Sequence, residues 1–317
     1  MDVLIQPSIQ LLTEVARYKK ISTLYSLLEI STDWLQLFFL LFLAIFFQNW
    51  LIFPILFVLI GARQYALLIL LHDAQHSRLS RNRKVNDWLA IWLLAAPFGV
   101  FFSKSRLTHL AHHRHLGELH DPDYLLYCTG NPAPKDSAHK LWMHFIYRIF
   151  WGKLNSIFSH RTKNSKKTIF SSVKIIEALA IFICQSIIFF GFALFGFPAA
   201  YFFLWLLPLV IVANFLNDAR IFAEHSNPVV KNGDKGLLIS YISNSFERFF
   251  LAPHHMNYHA EHHLFPFIPH YYLPEIRKII RAGSECVHHI EWRRGYLAHF
   301  SLYFKSLKVV KQLSEGL

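Results

Sequence analysis

Two long stretches almost without charge decide what this chain can become. Trp34 to Leu71 is 38 residues with a single charge, Arg63, and Ala178 to Asn217 is 40 residues with none. A helix crossing the roughly 30 Å hydrocarbon core needs about 20 apolar residues. Each stretch is too long for one crossing and suited to two. Turn signals stand near both midpoints: Gln48-Asn49-Trp50 with Pro54, and Gly196-Phe197-Pro198. The expected fold is therefore all-α and integral to a membrane, with four transmembrane helices in two hairpins. The spans fall at approximately 34–50, 53–71, 178–195 and 198–217. Residues 72–173 and 218–317 form a histidine-rich helical cap, and 1–317 is one domain. The first apolar run starts late and lacks a cleavage-type sequence, so no N-terminal signal peptide is expected.

Charge sets the orientation. Lys and Arg number 3 before residue 34, 15 in 72–173 and 12 in 218–317, with none in the turns at 48–50 and 195–198. Positive residues stay on the cytosolic side, so both termini and the cap are expected there. The net charge of +12 is then a mark of topology. Anionic headgroups are its natural partner, and no basic-aromatic module points to nucleic acid. Trp88–Phe102, Leu141–Trp151 and Tyr271–Ile280 read as interfacial segments. The first is short enough to dip into the bilayer and return. A buried core helix is the alternative for all three. Thr129–Lys140 reads as flexible, and Arg161–Lys167 as a solvated or headgroup-facing basic run. Cys128, Cys184 and Cys286 have no paired spacing, which argues against disulfides and against a cysteine-based zinc site.

Histidine is as common as Asp and Glu together, at 20 residues. Eight fall in three clusters: His72 and His76 in HDAQH, His109, His112 and His113 in HLAHH, and His259, His262 and His263 in HAEHH. On a helix, positions i, i+3 and i+4 share a face, so each cluster is expected to present its rings to one point. Neutral imidazole is the commonest biological metal ligand. Eight are too many for one tetrahedral zinc and suit two metals with about four nitrogens each. Ligand type leaves zinc, copper, iron and nickel open. A bound imidazole usually gives its other N–H to a carboxylate. Asp73, Glu224, Glu261, Asp121 and Asp123 are the candidates, although neighbours on a helix point about 100° apart. His254 and His255 flank a cluster and are expected to support rather than ligate. His115 faces away from His112. His120, His139, His144, His160, His270, His288, His289 and His299 read as interfacial or surface groups. Arg63, alone in the first hairpin, either serves function or snorkels to the headgroups.

The clusters and their flanks resemble the integral-membrane fatty acid desaturase and hydroxylase superfamily. The likeness covers roughly Trp34 to Ile280 and is most specific in MNYHAEHHLFPFIPHYYLPEI at 256–276. HDAQH and THLAHHRHLGELHDPD match the first and second histidine boxes. The resemblance implies four spans, a cytosolic cap, and two iron ions as a non-haem di-iron centre that works with dioxygen. It also implies a further histidine between the fourth span and the third box, matched here by His225. One branch has Asn four residues before that histidine. Here that residue is Ile221, and Asn217, eight before, replaces it only loosely.

The implied reaction introduces a double bond into a fatty acyl lipid or acyl thioester. Hydroxylation is the alternative outcome of the same chemistry. The chain has no haem segment, dinucleotide fingerprint or iron–sulfur cysteine set. A separate electron donor is therefore expected, a ferredoxin or a b-type cytochrome with its reductase, drawn to the basic face. A carotenoid ketolase or hydroxylase is the rival inside the superfamily. An intramembrane zinc protease would need HExxH, and HDAQH lacks the Glu. Soluble-type di-iron sites need two ExxH motifs, and only Glu285–His288 fits. A transporter would place polar or broken helices at mid-membrane, whereas 178–217 is uncharged.

Overall fold

The computed structural model describes residues 7–118, 120–124, 172–226, 238–283, 290–303 and 305. Leu141–Trp151, Thr129–Lys140 and Arg161–Lys167 lie outside the described residues. A short helix, α1 (Ile9–Ala16), precedes α2 (Thr23–Phe47), whose first turn is capped by the Ser22 hydroxyl accepting from the Tyr25 N–H. Gln48 adopts the left-handed conformation and ends α2, and Pro54 opens α3 (Phe53–Gln75). The helices α6 (Ser172–Leu194) and α7 (Tyr201–His225) follow later in the chain. These four are long and apolar enough to cross a membrane. Phe38, Phe39 and Phe42 on α2 and Phe182, Ile187 and Phe190 on α6 are exposed, as expected of side chains that face lipid. The protein is mostly helical.

The helices outlast the apolar runs that betray them. α3 carries on through His72, and α7 through His225. Two histidines thereby stand in the last turns of membrane helices. α3 and α7 cross closely at Gly61, where a Cβ would lie 2.4 Å from Val212 Cβ and 2.9 Å from the Pro208 carbonyl oxygen. Only a residue without a side chain permits that approach. α7 also accommodates two π-helical stretches, Tyr201–Leu206 and Leu209–Ala213.

Within Trp88–Phe102, Leu89, Ala90 and residues 94–98 are buried in the bundle, while Trp88 and Phe101 are exposed. α4 (Arg83–Leu89) runs on through π-helical Ala90–Ala95 and a 3-10 turn, Ala96–Phe98. Gly99, at φ 69°, then releases the chain into α5 (Phe102–His115), bent by 98° from the preceding segment. A helix end inside an apolar bundle leaves carbonyls without partners. Side chains from the spans supply them. Gln185 Nε2 donates to the Pro97 and Ala96 carbonyls at 2.8 and 3.3 Å, Trp205 Nε1 to Pro97 at 3.2 Å, and Trp34 Nε1 to Leu93 at 3.1 Å. The rings of Trp34, Phe98 and Trp205 stack on one another.

The cap is built from β1 (Leu238–Ile242), α8 (Ser245–Phe250), α9 (His259–Leu264), α10 (Leu273–Arg281) and β2 (Ile290–Arg294), with α11 over 296–303. β1 and β2 pair in parallel, from Leu238 opposite Ile290 to Ile242 opposite Arg294. This two-stranded sheet is a local exception in a chain that is mostly helical, as expected. Tyr271–Ile280 also departs from its interfacial reading. Leu273, Ile276 and Ile280 are buried with Leu264, Phe265 and Leu11 in the cap core. Of the basic residues that suggested an interface, Arg277 is buried, its guanidinium lying over the Tyr258 ring and against Glu261.

Candidate metal centre

Nine histidines from four segments converge in two groups. His72, His76, His109, His113 and His262 form one, and His112, His225, His259 and His263 form the other. In the first, His76 and His109 bring their Nε2 atoms to 2.7 Å, His109 and His113 to 3.0 Å, and His113 and His262 to 3.1 Å. In the second, His259 Nε2 lies 2.9 Å from the Nε2 atoms of both His225 and His263. The groups adjoin, with the rings of His113 and His263 stacked at 4.1 Å.

The boxes do not each serve one point, as the spacing suggested. Along a helix, i+4 lies about 40° past i and i+3 about 60° short of it. In α5, His109 and His113 therefore turn to the five-ring group and His112 to the four-ring group. In α9 the split is mirrored, with His259 and His263 facing the four-ring group and His262 the other. Two helices crossing at the centre thus each feed both groups.

The donor set fits a metal. Burial pushes His259, His262 and His263 well below the usual imidazole range, and His76 down to about 3. These rings are neutral and offer lone pairs. His72 Nε2 is buried without a hydrogen-bond partner among the described residues. Two nitrogens bound at right angles about 2.1 Å from one ion stand about 3.0 Å apart, close to the spacings seen. His112 Nδ1 donates to both Asp121 oxygens, at 2.9 and 3.1 Å, which leaves its Nε2 lone pair free for the group.

The candidate carboxylates behave differently from one another. Asp123 Oδ2 lies 3.6 Å from His112 Nδ1, and the Asp123 N–H donates to Asp121 Oδ1 at 2.8 Å. Glu224 Oε2 lies 3.2 Å from His259 Nδ1, within ion-pair distance although out of line for a good hydrogen bond. Asp73 instead accepts the His270 backbone N–H at 3.2 Å. Glu261 faces Arg277 at 2.5 Å and the Ser240 hydroxyl. Sequence neighbours of a box histidine point away from the site its ring serves, which is why those two turn aside. Asn217 is engaged with Asp218 and Arg220.

Several residues read as peripheral are buried and paired. His299 is 0% exposed, with Nε2 3.1 Å from the Ser226 hydroxyl. His270 Nε2 lies 2.9 Å from Glu29. Arg63 does not snorkel: its guanidinium bonds Asp33 and Gln36 at 3.3 Å and the Phe249 carbonyl at 2.8 Å. His254 lies between carboxylates, 2.6 Å from Asp33 and 3.3 Å from Glu29. No periodic signal could have found this cluster, because its partners are more than two hundred residues apart. Burial opposes charge on His254, yet its hydrogen bonds to Asp33 and Glu29 push it up to about 9.

A raised histidine pKa stabilises the fold fully below the unfolded value near 6.5 and loses that contribution as pH rises through the folded value. Thermal unfolding in detergent should therefore show wild type losing its advantage over His254→Gln between about pH 7 and 10, by at most on the order of 3 kcal/mol. Parallel pH profiles for the two proteins would refute the ion-paired state of His254.

The model of the fatty acid desaturase family matches residues 48–295, which include all nine histidines. The chain belongs to the fatty acid desaturase family. It is 27% identical to a dihydrorhizobitoxine desaturase of Bradyrhizobium elkanii, over 75% of this chain and 70% of that protein. It is 25% identical to an sn-1 acyl-lipid omega-3 desaturase (ferredoxin) of Nostoc sp. (strain 36), over 82% and 77%. An sn-1 oleoyl-lipid 12-desaturase of Arthrospira platensis is 26% identical, over 75% and 72%. The family member described here is a membrane oxidoreductase of fatty acid desaturase type, and its histidine groups suit a family that uses iron.

Proposed function

We propose that this chain is a dioxygen-dependent fatty acyl desaturase whose nine clustered histidines hold two iron ions, one per group. The observation that carries this reading is the convergence of nine buried or half-buried imidazoles into two adjoining groups, one of five rings and one of four. When bound, the irons supply what no side chain can: with dioxygen, two electrons and two protons, removal of one hydrogen from each of two adjacent methylenes, leaving a double bond and two waters.

The chain's own residues do the rest. α3, α5, α7 and α9 fix the rings, and Asp121 holds the His112 tautomer. Burial of His112, His225, His259, His262 and His263 keeps bulk water from the reacting chain. Because α3 and α7 are membrane helices that carry His72 and His225 in their last turns, an acyl chain in the bilayer lies close to the centre without leaving an apolar medium. The substrate is an acyl lipid or acyl thioester. No electron-carrying group is encoded, so a separate ferredoxin, or a b-type cytochrome with its reductase, delivers the electrons. Two of the relatives above act on acyl lipids by name, and one names ferredoxin, which supports both choices. The Lys and Arg distribution supports a cytosolic site.

Metal analysis of the purified chain, paired with lipid profiling of an expressing host, tests the proposal. About two irons per chain and a new acyl double bond are expected. One zinc with unchanged lipids would reject it, and altered carotenoids with unchanged fatty acids would redirect it to another substrate class.

A further inference from the structure

The four-histidine group is gripped by a segment that lies beyond the family match. That match ends at residue 295, and α11 begins at Tyr296. Along α11, Tyr296, His299 and Tyr303 are buried, a spacing that places them on one face. That face meets the end of α7, where His225 stands.

The contacts fall on both sides of His225. The Tyr296 hydroxyl donates to Glu224 Oε1 at 2.9 Å. His299 Nε2 lies 3.1 Å from the Ser226 hydroxyl, and His299 Nδ1 lies 2.9 Å from the Tyr241 hydroxyl. Tyr241 in turn donates to the Ala223 carbonyl at 2.8 Å and stacks on Tyr296 with ring centroids 3.9 Å apart. Ala223, Glu224 and Ser226 are thus each tied down. A helix end without such ties frays, because its last carbonyls have no partners within the helix.

Glu224 carries the effect further. Arg220, one turn earlier on the same helix, donates to Oε2 at 2.5 Å. That same oxygen lies 3.2 Å from His259 Nδ1, in close contact though out of line for a good hydrogen bond in this arrangement. Arg220 alone leaves the carboxylate free to rotate about its bond to the side chain. A second anchor on Oε1, from a different element, fixes that rotation and so fixes Oε2 against His259. Groups that hold a ligand's far nitrogen set its ring orientation and basicity.

We propose that Tyr296 is a positioning residue for the four-histidine metal site, orienting His259 through Glu224 and, with His299, fixing the turn that carries His225. The proposal rests on reading those histidines as ligands. Tyr296→Phe keeps the stacked ring and removes only the hydroxyl. Ferrous iron is titrated into the full-length apoprotein in detergent, with thermal midpoints recorded in parallel. Tyr296→Phe should bind one of its two irons about 10–100-fold more weakly, with the other unchanged and the apoprotein midpoint close to wild type. In a Glu224→Gln background the same substitution should add little, since both act through one carboxylate. Wild-type affinity at both sites overturns the proposal. So does a loss shared equally by the two sites, or one fully additive with Glu224→Gln. A wild-type chain that binds no iron overturns the ligand assignment itself, and this proposal with it.

Discussion

His262→Ala should abolish desaturation and strip iron from the five-ring group while leaving the four-ring group loaded. His262 is 2% exposed, and its Nε2 lies 3.1 Å from that of His113. Its ring stands 4.4 Å from His72 and 4.8 Å from His76, so it links the donors of α3 to those of α5. Loss of a group that merely supports a ligand costs about 10–100-fold in affinity or activity. Loss of the ligand itself should exceed about 100-fold and fall below detection in a product assay. On the proposed two-iron reading, a protein with one remaining iron should bind substrate yet make no product. His255→Ala is the matched control. It lies in the loop before α9 and borders His270 and Tyr258 rather than either group, so it should keep both irons. Near-full turnover in His262→Ala would show that the rings are wrongly assigned.

The parts of the molecule that were legible in the sequence are those written in local patterns. Charge-free runs announce membrane helices because lipid excludes charge, and HxxHH announces clustered rings because a helix has 3.6 residues per turn. The same geometry held a further consequence, the division of the second and third boxes between two groups. That follows from the 100° between i+3 and i+4, but which group each ring joins depends on how α5 and α9 cross. Tertiary partnerships left weaker traces. Arg220 and Glu224 stand four apart, a recognisable ion-pair spacing on a helix. Tyr296 and His299 sit in a tail with no box and no long apolar run, so nothing in their neighbours marks them as part of the centre. His299 looked like a surface group because an isolated histidine in a polar tail usually is one. Here, burial against Tyr241 and Ser226 decides otherwise. Asp121 and Glu261 show the limit from the other side. Both lie near a box in sequence, yet only the one in the turn after its helix reaches back to a box ring.

That second carboxylate underlies the largest stability effect expected in the cap. Glu261 is 0% exposed and sits in α9 between three ring-bearing positions. Its charge is met by Arg277 from α10, whose Nε donates at 2.5 Å. The same guanidinium serves the Tyr241 carbonyl at 2.9 Å, the Ser240 hydroxyl at 2.6 Å and the Asn257 carbonyl at 3.1 Å. It also lies over the Tyr258 ring at 3.8 Å. One side chain therefore joins β1, the loop before α9, α9 itself and α10. Removing one partner of a buried pair costs roughly 3–5 kcal/mol, because the other charge is left without compensation. Arg277→Ala should destabilise the cap by about that much and weaken both irons together, since α9 supplies rings to each group. Arg277→Lys should rescue little, because a single ammonium cannot reach four acceptors arranged around a planar fork. Arg277→Met combined with Glu261→Gln should recover part of the loss by removing both charges. Denaturant or thermal unfolding of the four proteins in one detergent reads these values. If Arg277→Ala costs less than about 1 kcal/mol, the size of an exposed pair, the guanidinium is not what holds α9 in register with the sheet. The two-iron geometry would then have to be maintained by the apolar packing of Leu264, Phe265 and Ile276 alone.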